Sequence, residues 1–153
     1  QADAMELGKL YAIQTTASTT EGAQYVYCKK LVKNETGERP LYTGYHSTVS
    51  AFYYGTLIVG DQFDGNFDGY SALDTNIPLS SLKEPTAFDS PTTFAVASVI
   101  PGWTAALQLM RAGERWMLYI PWQSAYGSSG NNDGTIPGYT ALTFDLLLER
   151  IVE

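Results

Sequence analysis

Val99-Ile100-Pro101-Gly102-Trp103 is the stretch on which the reading of this chain turns. An apolar pair runs into a proline, and proline is tolerated in the first turn of a helix, where its missing N–H has no partner to lose. From there Trp103, Leu107 and Met110 fall at i, i+4 and i+7, the apolar stripe of a helix that starts at Pro101. Gly113 predicts its left-handed C-terminal cap. Beyond it, Trp116, Leu118 and Ile120 alternate with Arg115, Met117 and Tyr119, a strand pattern. Gln123 to Tyr139 is a Gly/Ser/Asn-rich loop, and Leu142, Phe144, Leu146 and Leu148 alternate through a final strand.

Upstream, Tyr25 to Val32 and Thr48 to Ile58 read as strands, the second with Val49, Ala51 and Tyr53 on one face and a turn at Val59-Gly60-Asp61. Lys33 to Pro40 is a polar turn segment, and Phe94 to Val96 a short strand. Gly65 to Pro91 is rich in Asp, Asn, Gly, Ser and Pro, long for a connection inside a compact domain. At the front, Ala4, Met5, Leu7, Leu10, Tyr11 and Ile13 suggest a loose helical pattern over Ala2 to Gln14, followed by a Thr/Ser-rich linker, Thr15 to Gly22. An order of mostly strands with one late helix predicts an α+β fold, an antiparallel sheet wrapped on that helix.

The chain has 153 residues, room for one domain with a sizeable core. A net charge of −7 disfavours nucleic acid and anionic lipid as partners, since both need a basic face. No apolar run is long enough to span a bilayer. Gln1 opens a polar stretch with no leader-like apolar segment, as expected of a mature or trimmed chain. Cys28 stands alone in a strand pattern and reads as a buried structural thiol. One histidine and one cysteine offer no Ser/His/Asp or metal constellation, so no cofactor and no metal are expected.

The ordered series V-I-P-G-W, Ala106-Leu107-Gln108-Leu109-Met110, Tyr119-Ile120-Pro121, Ala125-Tyr126-Gly127, Ile136-Pro137 and Ala141-Leu142-Thr143-Phe144 resembles the FKBP-type peptidyl-prolyl isomerases, especially the bacterial macrophage-infectivity-potentiator-like branch. The resemblance runs from about Tyr25 to the C-terminus. It implies a half-barrel sheet around the helix, a domain over 23–153 with an insertion at about 65–91, and an N-terminal helical and linker segment over 1–22. It implies proline-containing polypeptide clients, inhibition by macrolides, and an exported, periplasmic or outer-membrane-associated bacterial protein.

The chemistry asks for little beyond shape. Amide resonance sets a barrier of about 18–20 kcal/mol to rotation, and an uncatalysed prolyl bond turns over in tens to hundreds of seconds. A dry apolar pocket favours the twisted, less polar amide over the planar one, with a few donors selecting its geometry. By resemblance Trp103 is the floor under the proline ring, Val99 and Ile100 one wall, and the Ile100 main-chain N–H the donor to the ligand carbonyl. Tyr53, in Phe52-Tyr53-Tyr54-Gly55-Thr56-Leu57, lines the pocket; Phe63 is a wall; Asp64 orients the tyrosine or polarises the carbonyl environment. Tyr126 presents its hydroxyl, Ile136 covers the pocket from its loop, and Phe144 packs on the proline.

The chain departs from the family pattern at several points. Thr92 stands where the second wall aromatic is usual, and Thr135 replaces an apolar residue, which predicts a more open pocket and weaker macrolide affinity. Phe88-Asp89 is an alternative to Phe63-Asp64 as the Phe-Asp pair; the spacing from Tyr53 favours the latter. Asp64-Gly65-Asn66-Phe67-Asp68-Gly69 matches the first half of a calcium loop but has Thr75 where a bidentate Glu is needed. His46 is assigned no role. An FKBP-fold chaperone or binding module with little turnover is the competing function. An aromatic-rich glycan-binding β protein would fit 11 tyrosines and leave V-I-P-G-W unexplained.

Overall fold

The computed structural model describes residues 2–19, 22–40, 47–57, 62–67, 83–131 and 135–152. His46, Val59 to Asp61 and the Asp68-Gly69 half of the calcium-like string lie outside them. Among these residues, strands β1 (Leu10–Thr19), β2 (Gly22–Val32), β3 (Thr48–Leu57), β4 (Gln62–Gly65), β5 (Thr92–Ala95), β6 (Arg115–Ile120) and β7 (Leu142–Ile151) form one sheet, with one α-helix, α1 (Pro101–Leu109), between β5 and β6. The strand order is β1-β2-β6-β7-β3-β4, and β5 also pairs with β3. Every strand pair is antiparallel.

The helix starts where the proline predicts: Pro101 is in its first turn, and the Ile100 carbonyl accepts from the N–H groups of Trp103 (2.9 Å) and Thr104 (3.1 Å). Trp103, Leu107 and Met110 are all buried against the sheet, beside Val26, Cys28, Ala51, Trp116, Leu118 and Leu146. Gly102 permits the close approach of helix and sheet, since a Cβ there would meet the Ile120 side chain at 2.7 Å. The cap differs from expectation. The helix stops at Leu109, whose carbonyl accepts from Arg39 Nε at 3.1 Å, and Met110 is already extended. Gly113 is left-handed (φ 91°) but serves the following turn, which Glu114 N–H closes on the Arg111 carbonyl.

The N-terminus needs a larger correction. Only Ala2–Ala4 is helical, as one 3-10 turn, and Asp3 ties it to Arg39 and Arg111 at 2.9 Å each. Leu10 to Gln14 belongs to β1, paired with β2 from Leu10↔Lys29 to Gln14↔Tyr25, and Thr15 to Thr19 continues the strand instead of forming a linker. A boundary at residue 22 would cut this hairpin. Tyr11, Ile13 and Thr15 are more buried than Ala12 and Gln14, so the burial has period 2. Six apolar residues in so short a segment fit either period, and cross-strand pairing outweighs a marginal helix.

The sheet is covered on both faces over part of its area. Opposite the helix, Leu31, Tyr54, Phe67 and Met117 form a second, smaller cluster. Beside it Arg115 is buried. Its Nε donates to Asp145 at 2.8 Å, one terminal nitrogen donates to Glu84 at 2.6 Å, the other donates to the Lys83 carbonyl, and the guanidinium lies 5.7 Å from the centre of the Phe67 ring. The described ends of the 65–91 segment thus meet on the face away from α1. Cys28 is fully buried, and burial pushes its thiol pKa up, which keeps it unreactive. No helix among the described residues is long and apolar enough to cross a membrane.

Candidate active site

One end of α1 and the inner face of the sheet enclose a cavity of about 90 Å³. Each strand near it contributes an aromatic ring because its inward positions alternate. Tyr53 comes from β3, Phe63 from β4, Phe94 from β5 and Phe144 from β7, with Trp103 from α1 and Tyr126 from the loop after β6. Val99 and Ile100 close it where the chain turns into the helix. Eight of the nine residues expected from the sequence therefore line one cavity.

The rings hold one another edge to face. Trp103, only 3% exposed, has its centroid 4.9 Å from Phe94, 5.2 Å from Phe144 and 5.3 Å from Tyr53, at interplanar angles of 68–83°. Phe63 meets Phe144 at 5.5 Å and 83°. Such pairs add about 0.5–1.5 kcal/mol each beyond area burial, so the walls are packed against each other before any ligand arrives. Gly55 makes room for this. A Cβ there would lie 2.6 Å from Phe144 and 3.0 Å from Phe63. The Trp103 indole N–H has no hydrogen-bond partner among the described residues.

Polar groups are few and placed at the margin. The Tyr53 hydroxyl donates to Asp64, and its pKa is raised, first by burial, then by that hydrogen bond and the Asp64 charge, with a further contribution from Tyr126. It remains a neutral phenol through the physiological range. Asp64 is exposed, and its Oδ1 accepts the Gly65 N–H at 2.8 Å. Tyr126, 37% exposed, stands at the mouth. The Ile100 N–H makes no hydrogen bond among the described residues, while the Ile100 carbonyl is committed to the helix.

One sequence expectation changes, one open choice closes and one lining residue is added. Ile136 does not line the cavity: it is 1% exposed in the main core. Asn131 turns it inward by accepting the Ile136 N–H (2.9 Å) and donating to Thr135 (2.8 Å), which folds the loop over itself. Phe88 is 97% exposed, and Asp89 caps its own turn by accepting the Thr86 N–H at 2.7 Å, so Phe63-Asp64 is the pair at the cavity. Phe94, two residues on from Thr92, lines the cavity, although the sequence places it in a strand and not in the site. The signal was present, because Phe94 lies in the short strand just before V-I-P-G-W. Among the described residues no group of three or more His, Cys, Asp or Glu side chains is placed to hold a metal.

The family described as FKBP-type peptidyl-prolyl cis-trans isomerase matches residues 43–149. The macrophage infectivity potentiator of Trypanosoma cruzi is 52% identical over 76 residues, 46% of this chain and 38% of that protein. Outer membrane protein MIP of Legionella longbeachae is 40% identical over 106 residues, 69% of this chain and 34% of that protein. The chain thus spans well under half the length of these relatives. A crystal structure of a peptidyl-prolyl cis-trans isomerase from Pseudomonas syringae superposes with a TM-score of 0.62 at 27% identity, covering 91% of this chain and 81% of that one. The order of motifs, the sheet wrapped on one helix and the match over residues 43–149 agree: this chain belongs to the FKBP-type peptidyl-prolyl cis-trans isomerases, in the branch that resembles the macrophage infectivity potentiators.

Proposed function

We propose that this chain accelerates cis-trans rotation about Xaa-Pro bonds in polypeptide clients. The observation that carries the reading is a small cavity walled by five mutually packed aromatic rings, with an unengaged main-chain N–H at one edge and a neutral phenol at another. The prolyl ring rests on Trp103 between Phe94, Phe63 and Phe144. The Ile100 N–H donates to the client carbonyl that follows the proline, which fixes the proline in place. The Xaa carbonyl then turns inside aromatic walls that cannot hydrate it, so the planar, more polar amide is disfavoured relative to the twisted one. Tyr53, held by Asp64, presents an oriented hydroxyl, and Tyr126 offers a second at the mouth. No bond is made or broken, so no nucleophile and no proton relay are needed.

The same cavity is the place for a macrolide inhibitor of the family. The relative's name as an outer membrane protein supports a working place outside the cytoplasm, on exported chains; cell fractionation tests it. The deciding experiment follows isomerisation of Xaa-Pro peptides directly, without a coupling protease, across several Xaa residues. Acceleration that a macrolide competes away and Trp103→Ala sharply lowers supports the reading. A folded protein with no acceleration for any Xaa overturns it.

A further inference from the structure

The edge of β3 changes partner in its middle. Its first half pairs with β5, ending at Ala51↔Thr92, and its second half pairs with β4, beginning at Tyr54↔Gly65. Phe52 and Tyr53 lie at the seam between the two. A central strand cannot leave backbone polar groups there unpaired without a cost comparable to a lost hydrogen bond.

Asn66, the residue after β4, fills the seam. Its Oδ1 accepts the Tyr53 N–H at 2.8 Å, its Nδ2 donates to the Ala51 carbonyl at 2.9 Å, and its own N–H donates to the Tyr53 carbonyl at 2.9 Å. A side-chain amide thus takes the place of a peptide group in the ladder. The second proton of Nδ2 goes to Thr92 Oγ1 at 3.0 Å, which ties β5 to the same point. Two residues after Thr92 comes Phe94, whose ring meets that of Tyr53 at 5.5 Å. Two residues before Asn66 comes Asp64, which holds the Tyr53 hydroxyl. The chain from 64 to 66 therefore grips Tyr53 at both ends.

We propose that Asn66 is a positioning residue of the isomerase site, setting the Tyr53 ring against Phe94 and Trp103 through the seam of β3, with Thr92 as its second anchor. It touches no client. Its catalytic consequence rests on the isomerase reading above, whereas its structural consequence does not. Asparagine suits the role because it offers one acceptor and two donors in a plane. Aspartate keeps the acceptor and cannot donate to the Ala51 carbonyl; leucine, close in shape, can do neither.

The test compares Asn66→Asp, Asn66→Leu and Thr92→Val with Val26→Ala, a core truncation in β2 that controls for lost stability. All are assayed at low temperature, where circular dichroism shows each folded. Misplaced active-site groups lose rate steeply, so both Asn66 variants are expected to lose about tenfold in kcat/KM, mostly in kcat, with Val26→Ala unchanged. Thr92→Val should lose about threefold, and Asn66→Leu/Thr92→Val no more than Asn66→Leu alone, since both act through one joint. Ring-to-ring nuclear Overhauser contacts between Tyr53 and Phe94 should weaken in the Asn66 variants and persist in Val26→Ala. Asn66 variants with normal kcat/KM and unchanged ring contacts overturn the proposal, as does a loss equal to that of the control. A wild type that shows the ring contacts and no acceleration defeats the isomerase reading instead, and the ring contacts alone then judge Asn66.

Discussion

The aromatic cavity and the Arg115 clamp on the opposite face of the sheet are built on opposite principles. Toward α1, β6 sends Trp116, Leu118 and Ile120 into an apolar core that ends in the aromatic cavity. Away from it, the same strand sends Arg115 and Met117 under the flanks of the long segment, Phe67 and Lys83-Glu84. A second buried charged pair, Lys30 and Glu114 at 3.5 Å, lies on the α1 side away from the cavity lining: Lys30 pairs with Trp116, and Glu114 also accepts from the Trp116 indole and the Asn34 and Arg111 N–H groups. The cavity is held by shape and dispersion, whereas the opposite face beside it carries the buried Arg115-Asp145 pair. The difference suits the chemistry: a catalyst that works by disfavouring a polar amide keeps formal charge to the edge of its pocket, and among the described residues Asp64 at the rim is the one charged residue lining it. Charge is instead used on the far face to tie down a long connection.

If the faces are separable, substitutions on each should strike different observables. Trp103→Ala removes the floor and should have the largest effect, lowering kcat/KM about a hundredfold, because the walls lose their common support, and stability by about 3–5 kcal/mol; peptide isomerisation and urea unfolding check the two. Arg115→Met should cost about 3–5 kcal/mol by removing the guanidinium that faces the buried Asp145 carboxylate, with kcat/KM of the folded fraction unchanged. The double variant Arg115→Met/Asp145→Leu should recover much of that loss in the same unfolding measurement. A large fall in kcat/KM at full folding would break the comparison, because the outer clamp would then reach the cavity.

Asp64→Asn should lower kcat/KM about tenfold, the scale of one charge-assisted hydrogen bond, with a thermal midpoint close to wild type. The smallest effect is one of pH. The Tyr53 phenol is shifted above its ordinary value, so its contribution to stability is intact below about pH 10 and is lost above it, where the unfolded chain ionises first. Thermal midpoints of wild type should therefore fall more steeply than those of Tyr53→Phe between about pH 10 and 11.5, and run parallel between pH 6 and 9. Parallel curves throughout would mean that Tyr53 is not shielded at the cavity.

Local patterns in the chain carried much of this architecture. The helix was legible because a proline at its first turn and a stripe of period 3.6 occur together, and β3, β6 and β7 because their apolar residues alternate. The cavity residues were legible only as an ordered series of motifs, since no one of them differs from an ordinary core residue. Tertiary structure alone decided the remainder. Leu10 to Thr19 became a strand because β2 offers it a free edge. Ile136 went into the core because Asn131 folds its loop inward, Phe94 became a wall because Thr92 pairs with Ala51, and Phe88 was left in solvent. Arg115 is buried because Lys83, Glu84 and Phe67, distant in the chain, cover it. Periodicity states which residues share a face. What covers that face is supplied by segments far away in the chain, and that is where the sequence read alone stops.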